Sequence, residues 1–396
     1  MSVAETTESP ETLTTTASMG ELCRYFLRLG ALGFGGPIAL VGYMQRDLVE
    51  RRRWIGGEDF REGLALSQLA PGPLAAQLAI YLGWVRGRVL GATLAGVAFI
   101  VPSFVLVLLL SALYLRYGGV SWMQGAFYGI GASVIAIIVR SAIKLVRMTL
   151  GTDLLLWLLF LANAAVTAWS ESEIVWVFLL SGVAALFVKA PPRLGRKAVA
   201  SAVLPLPAWL LSGLHGTAST GTLWTLGLYF AEAGAFVFGS GLAIVPFLYG
   251  GVVDRFHWLS DHQFLDAVAV AMITPGPVVI TVAFIGYLVA GPIGATVAAI
   301  GVFLPCYLFV IVPAPYFRQI AKNRQVKAFV DGVTAAATGA IAGAAFVLGR
   351  RAIIDLPTAL IAFATFALLS RVKRVPEPLV ILGAGVVGFI VRSYYA

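Results

Sequence analysis

The stretch at positions 69–77 reads LAPGPLAAQ, and positions 273–281 read ITPGPVVIT. Both copies place Pro-Gly-Pro in the middle of a long apolar segment, 204 residues apart. Proline removes a backbone donor and disrupts the preceding helical turn, and glycine allows backbone shapes that other residues resist. In lipid, backbone groups left without partners are costly, so broken helices persist only inside protein or beside a water-filled cavity. The repeated motif therefore predicts a binding site rather than a tolerated kink.

The chain around this motif is too apolar for a water-soluble domain. Of its 396 residues, 59% are hydrophobic and 12% are charged, whereas soluble domains carry about 25% charged residues. The apolar runs are continuous over about twenty residues instead of alternating over about ten, which indicates helices rather than a β-barrel. The sequence therefore predicts an all-α polytopic membrane protein.

The apolar segments form two series of six, separated by a polar, proline-containing stretch. We expect a disordered polar tail at 1–21, an N-terminal repeat at 22–190, a linker at 191–222 and a C-terminal repeat at 223–396. The segments lie at 22–45, 63–84, 89–115, 123–147, 153–169 and 174–189, and at 223–249, 265–290, 293–317, 326–349, 356–370 and 377–394.

Matched residues at a fixed offset indicate that the second series duplicates the first. At an offset of 204, Phe34-Gly35 matches Phe238-Gly239 and Trp54 matches Trp258. After a slip of one residue, Pro102 matches Pro305. Many transporters are built from two such repeats.

The basic residues distinguish two topologies. If all twelve segments cross the membrane, the 28 Lys and Arg residues divide equally between the two sides. If each Pro-Gly-Pro segment enters and leaves by the same side, 21 of the 28 fall on one side, as the positive-inside rule requires. We therefore predict two inverted repeats of five transmembrane helices, each with a re-entrant PGP hairpin.

Four breaks define the predicted binding site, at 33–37, 71–73, 237–241 and 275–277. A half-helix that begins at the membrane midplane directs its free N–H groups and its positive dipole end into the cavity, which suits an anion. Proline fits the first turn of such a helix, and polar side chains near the breaks add donors. The candidate binding residues are Gly35, Gly36, Pro37, Gln68, Pro71, Gly72, Pro73, Gln77, Gly239, Ser240, Gly241, Thr274, Pro275, Gly276, Pro277 and Thr281.

Two charged residues lie within apolar segments, shortly before a break. Arg28 and Glu232 are repeat mates at the offset of 204. Charges inside membrane helices are expensive and usually functional, so Arg28 is a candidate to attract the anion and a buried Glu232 to carry a coupling proton. A structural ion pair, or snorkelling of the side chains to the interface, is the alternative.

These motifs resemble the chromate ion transporter family. FLRLGALGFGGPIALVGYM with LSQLAPGPLAAQLAIYLG is similar to its first half, and FAEAGAFVFGSGLAIVPFLYGGVV with MITPGPVVITVAFIGYL to the second half of its long, fused members. The resemblance covers nearly the whole chain after Glu21. One departure is Ser240, where a third glycine is expected. The resemblance implies chromate export across the bacterial inner membrane, driven by the proton motive force, and chromate resistance.

The sequence leaves several alternatives open. Sulfate resembles chromate in size and charge, and a passive anion channel shares the predicted re-entrant helices. An enzyme is not expected, because no nucleotide-binding motif is present and the two cysteines have no metal-ligand spacing. We expect no cofactor or metal and no nucleic-acid partner, since the net charge of +9 follows from basic loops at lipid headgroups. The oligomeric state is open, with a homodimer as one arrangement.

Overall fold

The computed structural model describes residues 17–34, 36–117, 121–170, 175–191, 220–236, 244–317, 323–372 and 375–395, and these ranges contain helices and no strands. The first half comprises α1 (Met19–Leu32), α2 (Gly36–Met44), the π-helical π1 (Gln45–Arg51), α3 (Gly57–Leu69), α4 (Leu74–Tyr117), α5 (Ser121–Thr149), α6 (Leu154–Ser170) and α7 (Val175–Lys189). The second comprises α8 (Thr220–Phe236), α9 (Ile244–Tyr249), π2 (Gly250–Arg255), α10 (Asp261–Ile273), α11 (Thr281–Ile311), α12 (Arg324–Ala352), α13 (Leu356–Arg371) and α14 (Glu377–Tyr395).

Polar caps fix where several helices begin. The Ser18 hydroxyl accepts a hydrogen bond from the Glu21 amide while the Glu21 carboxylate accepts one from the Ser18 amide. Ser260 and Gln263 form the same reciprocal cap at the start of α10. Each cap satisfies donors that a helix start leaves without intrahelical partners.

The long helices α4 and α11 each contain a tight reversal. Gly87 and Arg88 leave the helical region, with φ of −148° and 51°. The arms 74–86 and 89–117 then run antiparallel in close contact. Gly83 lies so near Gly91 that a Cβ added to it would be 2.3 Å from the Gly91 carbonyl oxygen. In α11 the reversal falls at Ala290 and Gly291, with φ of −145° and 63°, and divides it into arms 281–289 and 292–311.

The first apolar segment, 22–45, folds back instead of forming one continuous helix. The start of α1 lies beside the reversal in α4, since Arg86 donates to the carbonyl of Ala17 over 2.7 Å. The chain after π1 returns to this end, because the Arg52 guanidinium lies 5.7 Å from the centre of the Tyr25 ring. The segment 22–45 was expected to cross the membrane with a break at 33–37; its two helices instead lie side by side. We call this pair, α1 with α2–π1, the first hairpin.

The second half repeats this arrangement. The Tyr229 hydroxyl of α8 donates to the carbonyl of Phe247 in α9 over 2.9 Å, and the Tyr229 ring meets the rings of Phe256 and Trp258 edge-on. α8 with α9–π2 is the third hairpin. The second hairpin is α3 with the arm 74–86, and the fourth is α10 with the arm 281–289.

Small residues bring the remaining helices together. α12 packs against α6 and α7 through glycines, so that a Cβ at Gly339 would lie 2.2 Å from the carbonyl of Phe160. α14 packs against α5, where a Cβ at Gly129 would lie 2.0 Å from the carbonyl of Ala384. Such close approach is typical of helices in lipid.

Within the described ranges, four stretches are long and apolar enough to cross a membrane by length and composition: Leu74–Tyr117, Met123–Arg147, Val278–Tyr316 and Arg324–Ala352. Shorter apolar helices lie at Leu154–Trp169, Trp176–Lys189 and Leu356–Arg371. The protein is thus a helical, multi-pass membrane protein, as its composition predicts.

Candidate functional site

The second hairpin turns at the first Pro-Gly-Pro. α3 ends at Leu69, and residues 70–73, which we call the second tip, are not helical before α4 begins at Leu74. Gly72 has φ of 138°, a conformation open mainly to glycine. The Gln77 side chain closes the turn, since its Nε2 donates to the Pro71 carbonyl over 2.6 Å. The predicted break is confirmed here as a break in the helix.

The fourth hairpin turns at the second Pro-Gly-Pro in the same way. α10 ends at Ile273, and residues 274–277 form the fourth tip. Gly276 has φ of 96°. α4 begins at Leu74, whereas a 3₁₀ turn, Val278–Ile280, separates Pro277 from α11. The carbonyls of Pro73 and Pro277 accept the first hydrogen bonds of these turns, from the amides of Gln77 and Ile280. These prolines precede the first turn rather than lying in it.

The two tips lie against the long arms of the opposite halves. A Cβ at Gly72 would lie 3.1 Å from the Cβ of Cys306 in α11. A Cβ at Gly276 would lie 2.0 Å from the Ser103 hydroxyl in α4. The Gly276 amide also donates to the carbonyl of Gly33 over 3.0 Å. The fourth tip therefore meets the first tip, at Gly33 and Phe34, in the interior, and the second tip lies against α11 of the opposite half.

The contact between the first and fourth tips lies halfway along the arm 89–117 of α4. Ser103 is about 21 Å from either end of the arm 89–117 at 1.5 Å per residue. The hairpin arms, of about 20 Å, reach this depth from one end and are shorter than the roughly 30 Å hydrocarbon layer.

Ser103 and Cys306 are functional candidates that the sequence analysis missed. The Ser103 hydroxyl donates to the Gly30 carbonyl over 3.3 Å, and the Cys306 thiol lies 3.5 Å from the Gly234 carbonyl. Ser103 follows Pro102 and Cys306 follows Pro305, so the matched prolines at the offset of 203 contained a signal for them. Each ties the helix before a break to a long arm.

The polar side chains predicted as ligand donors mostly bond to the backbone. Thr274 donates to the carbonyl of Val270 over 2.5 Å, and Thr281 to that of Val278 over 2.7 Å. The side-chain amide of Gln77 likewise donates to a backbone carbonyl, that of Pro71. Gln68 is exposed. The donors that remain for an anion are therefore chiefly backbone N–H groups at the helix starts.

The charged repeat mates lie apart from this packed interior. Arg28 and Glu232 are both exposed on the surface of the chain and do not pack inside it. Leu228 and Trp224, one and two turns before Glu232, are exposed on the same face of α8.

Some predicted site residues lie outside the described ranges. These are Gly35, Gly239, Ser240 and Gly241, and with them the third tip at 237–243. Gly36 is the first residue of α2 and Pro37 lies in its first turn, as predicted. Pro71 is half-buried, and Pro73, Pro275 and Pro277 are buried.

An acidic residue near the base of the fourth hairpin was not among the predicted site residues. Asp266, in the second turn of α10, accepts a hydrogen bond from the Tyr114 hydroxyl of α4 over 2.6 Å. Its repeat mate Glu62 in α3 accepts one from Tyr81 over 3.2 Å. The Asp266 contact joins the two halves, whereas the Glu62 contact stays within the first.

The chain is similar to known transport proteins over nearly its whole length. A family model described as "Chromate transporter" matches residues 20–186 and again residues 224–389. A "Chromate transport protein" of Cupriavidus metallidurans is 60% identical over 95% of this chain and 94% of that protein. A "Probable chromate transport protein" of Synechococcus elongatus is 57% identical over 95% and 96%. A "Chromate transport protein" of Pseudomonas aeruginosa is 32% identical over 94% and 92%. No solved structure matches the chain.

Proposed function

This chain belongs to the chromate transporter family, and from that premise we propose that it is a secondary transporter that exports chromate across the bacterial inner membrane. It is a transporter rather than an enzyme. Coupling to the proton gradient and a role in chromate resistance belong to the proposal.

The observation that carries this proposal is the meeting of helix tips halfway along α4. The Gly276 amide donates to the Gly33 carbonyl, and Gly72 lies against Cys306. Transporters commonly bind substrate near the midplane between discontinuous helices, where half-helix N-termini favour anions. Chromate at neutral pH is a tetrahedral dianion, and backbone N–H groups supply donors without burying a cation.

The contacts between the halves support an inverted arrangement. Thr93, near the start of the arm 89–117, meets Tyr307, near the end of α11, at 2.7 Å. Tyr114, near the end of α4, meets Asp266 near the base of the fourth hairpin. The two long arms therefore run antiparallel, and the first two hairpins and the last two enter from opposite ends.

Three further side-chain pairs favour hairpins that return to the side from which they enter. Arg140 in α5 pairs with Glu377 at the start of α14 at 3.3 Å. Tyr128 in α5 bonds to Asp355 at 2.5 Å. If every one of the twelve apolar segments crossed the membrane, both pairs would join opposite faces. The same holds for Arg351 with Asp254, which are 3.3 Å apart.

The fold-back of the first hairpin improves the charge asymmetry of this topology. Because α1 begins beside Arg86, both Arg24 and Arg28 join the basic, cytoplasmic side. Five basic residues then remain on the other side, namely Arg116, Arg255, Arg350, Arg351 and Arg392. We propose two hairpins and four crossing helices in each half, so that Lys189 and Thr220 lie on opposite faces.

Arg28 and Glu232 keep a role in this proposal at the approach to the site. Each lies on an exposed helix face within two turns of a break, Arg28 before the first tip and Glu232 before the third. An arginine there attracts the anion, and a carboxylate can exchange the coupling proton from the opposite face.

Chromate uptake into inside-out vesicles tests the proposal. We expect accumulation that requires the proton gradient and is lost in Glu232→Gln. Accumulation that survives this substitution removes Glu232 from coupling, and uptake that only equilibrates indicates a channel. Movement of sulfate without chromate would overturn the proposed substrate.

A further inference from the structure

The Gln77 side chain has one polar atom without a partner in the middle of the protein. Its Nε2 donates to the Pro71 carbonyl, and a Cβ at Gly72 would lie 2.5 Å from Nε2 and 2.8 Å from Cδ. The carboxamide therefore lies across the second tip. The residue is 0% exposed, and its Oε1 has no hydrogen-bond partner among the described residues. A buried acceptor left unpaired costs about 1–3 kcal/mol, which points to a missing donor.

The surroundings of this oxygen are otherwise rich in donors. The first intrahelical bond of α4 runs from the Gln77 amide to the Pro73 carbonyl. The amides of Leu74, Ala75 and Ala76 precede it and lack carbonyl partners within the helix. These N–H groups suit an anion. The second tip therefore offers several donors and a single acceptor.

A fully deprotonated oxyanion does not fit this set, because all its oxygens are acceptors and one of them would face Gln77 Oε1. An oxyanion that carries one proton fits, since its O–H supplies the missing donor while its other oxygens accept from the amides. We propose that the second tip binds its oxyanion in the singly protonated form, as hydrogenchromate, with the O–H donating to Gln77 Oε1.

This inference rests on the proposed function and adds a basis for selectivity. Chromate takes up a proton close to neutral pH, whereas sulfate and selenate do so only in strong acid. A site with one obligatory acceptor therefore discriminates against sulfate and selenate, despite their similar size and charge. Removal of a matched hydrogen-bond partner is among the strongest sources of such discrimination.

Few protein groups near the second tip can titrate. Gln77 itself does not titrate. Among the described residues, Cys306 of α11 borders the tip through its Cβ, and the next ionisable groups along the hairpin are Glu62 of α3 and its partner Tyr81, one turn beyond Gln77. A pH dependence that survives Glu62→Gln and Cys306→Ala therefore belongs to the ligand.

Equilibrium dialysis of chromate against the purified full chain in detergent tests the inference. Above the pKa of hydrogenchromate we expect the apparent affinity to fall about tenfold for each pH unit, and excess selenate not to compete. Glu62→Gln and Cys306→Ala keep this slope. If binding does not change with pH and selenate competes fully, the dianion binds and water is the hydrogen-bond partner of Gln77 Oε1, which overturns the inference.

A pair of matched variants separates the acceptor from the fold. Gln77→Met removes Oε1 at nearly constant volume, and we expect selenate to compete in this variant. Gln45→Met, the same substitution at an exposed glutamine in π1, is the control and keeps the wild-type discrimination. If Gln77→Met fails to fold, the pH dependence of chromate affinity and the competition by selenate, both measured on the wild-type protein, still test the inference. No chromate binding at any pH overturns the proposed function as well, whereas binding with equal selenate affinity overturns the protonated ligand alone.

Discussion

At the scale of single residues, Gly72 shapes the second tip. Its φ of 138° and its contact with the Gln77 amide leave no room for a side chain. We expect Gly72→Ala to destabilise the protein by about 1–3 kcal/mol, since residues other than glycine are strained in this region. The measurement is the thermal unfolding midpoint of the purified protein in detergent.

Gly42 provides the matched control for this substitution. It lies in α2, and a Cβ there would meet nothing within 4 Å. Replacing an exposed glycine inside a helix by alanine stabilises it by up to about 1 kcal/mol. An equal fall of the midpoint in Gly42→Ala and Gly72→Ala would contradict the special role of the tip.

An ion pair outside the membrane-spanning segments gives a pH-dependent prediction. Lys189 Nζ lies 2.5 Å from Asp153 Oδ2, and this hydrogen bond lowers the pKa of the Asp153 carboxyl. The stabilisation is present above the unfolded pKa of about 3.9 and is lost as the pH falls through the lower folded value. Both side chains are partly exposed, so Lys189→Met costs less than about 1 kcal/mol at pH 7.

The pH profile of the Lys189→Met midpoint checks this reading. Asp153 also accepts hydrogen bonds from the amides of Leu155 and Leu156, and this variant leaves that cap intact. The difference from wild type should therefore shrink as the pH falls below 4. A difference that stays constant with pH would assign the effect to packing instead of charge.

At the scale of elements, the fold-back of α1 and α2 makes a prediction about labelling. Gly20→Cys in α1 and Glu50→Cys in π1, each exposed, should react from the same face with a membrane-impermeant thiol reagent. The native Cys23 and Cys306 are replaced by alanine in both variants. Labelling of the two positions from opposite faces would instead indicate that this segment crosses the membrane.

The packing of α1 on α4 provides a second prediction at this scale. A Cβ at Gly30 would lie 2.2 Å from the backbone carbonyl of Phe99, whereas one at Gly20 of the same helix meets nothing within 4 Å. Gly30→Ala should lower the thermal midpoint by several degrees because the backbones must separate, and Gly20→Ala should not. Equal midpoints for the two variants would show that the contact is dispensable.

The sequence predicted the breaks better than it predicted the paths of the helices between them. Proline and glycine act locally, so the ends of α1, α3 and α10 could be located from the motifs alone. The direction after a break depends on packing between distant residues. The contact of Arg52 with Tyr25 is such a case, and for this reason the break at 33–37 was predicted but the return of the chain after it was not. The reversal at Gly87 was likewise hidden inside a continuous apolar pattern.

The candidate site was predictable in part for the same reason. The second and fourth tips, and Gln77 beside one of them, follow from the repeated motif. That Thr274 and Thr281 donate to backbone carbonyls does not follow, because a hydroxyl within a helix can bond to the preceding turn or outward with equal ease. The exposure of Glu232 depends on which face of α8 packs against α11, and apolar residues surround it on every side in the sequence.

At the scale of the whole molecule, the central claim is that two pairs of hairpins enter from opposite faces and that their tips meet halfway. The antiparallel long arms of α4 and α11 support this claim. So does the contact between Tyr114 and Asp266 across the halves. An arrangement of this kind lets one half rock against the other around a fixed site, as alternating access requires.

Cysteine labelling at the bases of the first and third hairpins tests this claim most directly. Glu50 lies near the base of the first hairpin and Arg255 lies at the base of the third, and both are exposed. In a background with Cys23 and Cys306 replaced by alanine, Glu50→Cys should react with an impermeant thiol reagent only in inside-out vesicles, and Arg255→Cys only in right-side-out vesicles. Reaction of both positions from the same face would contradict the inverted arrangement.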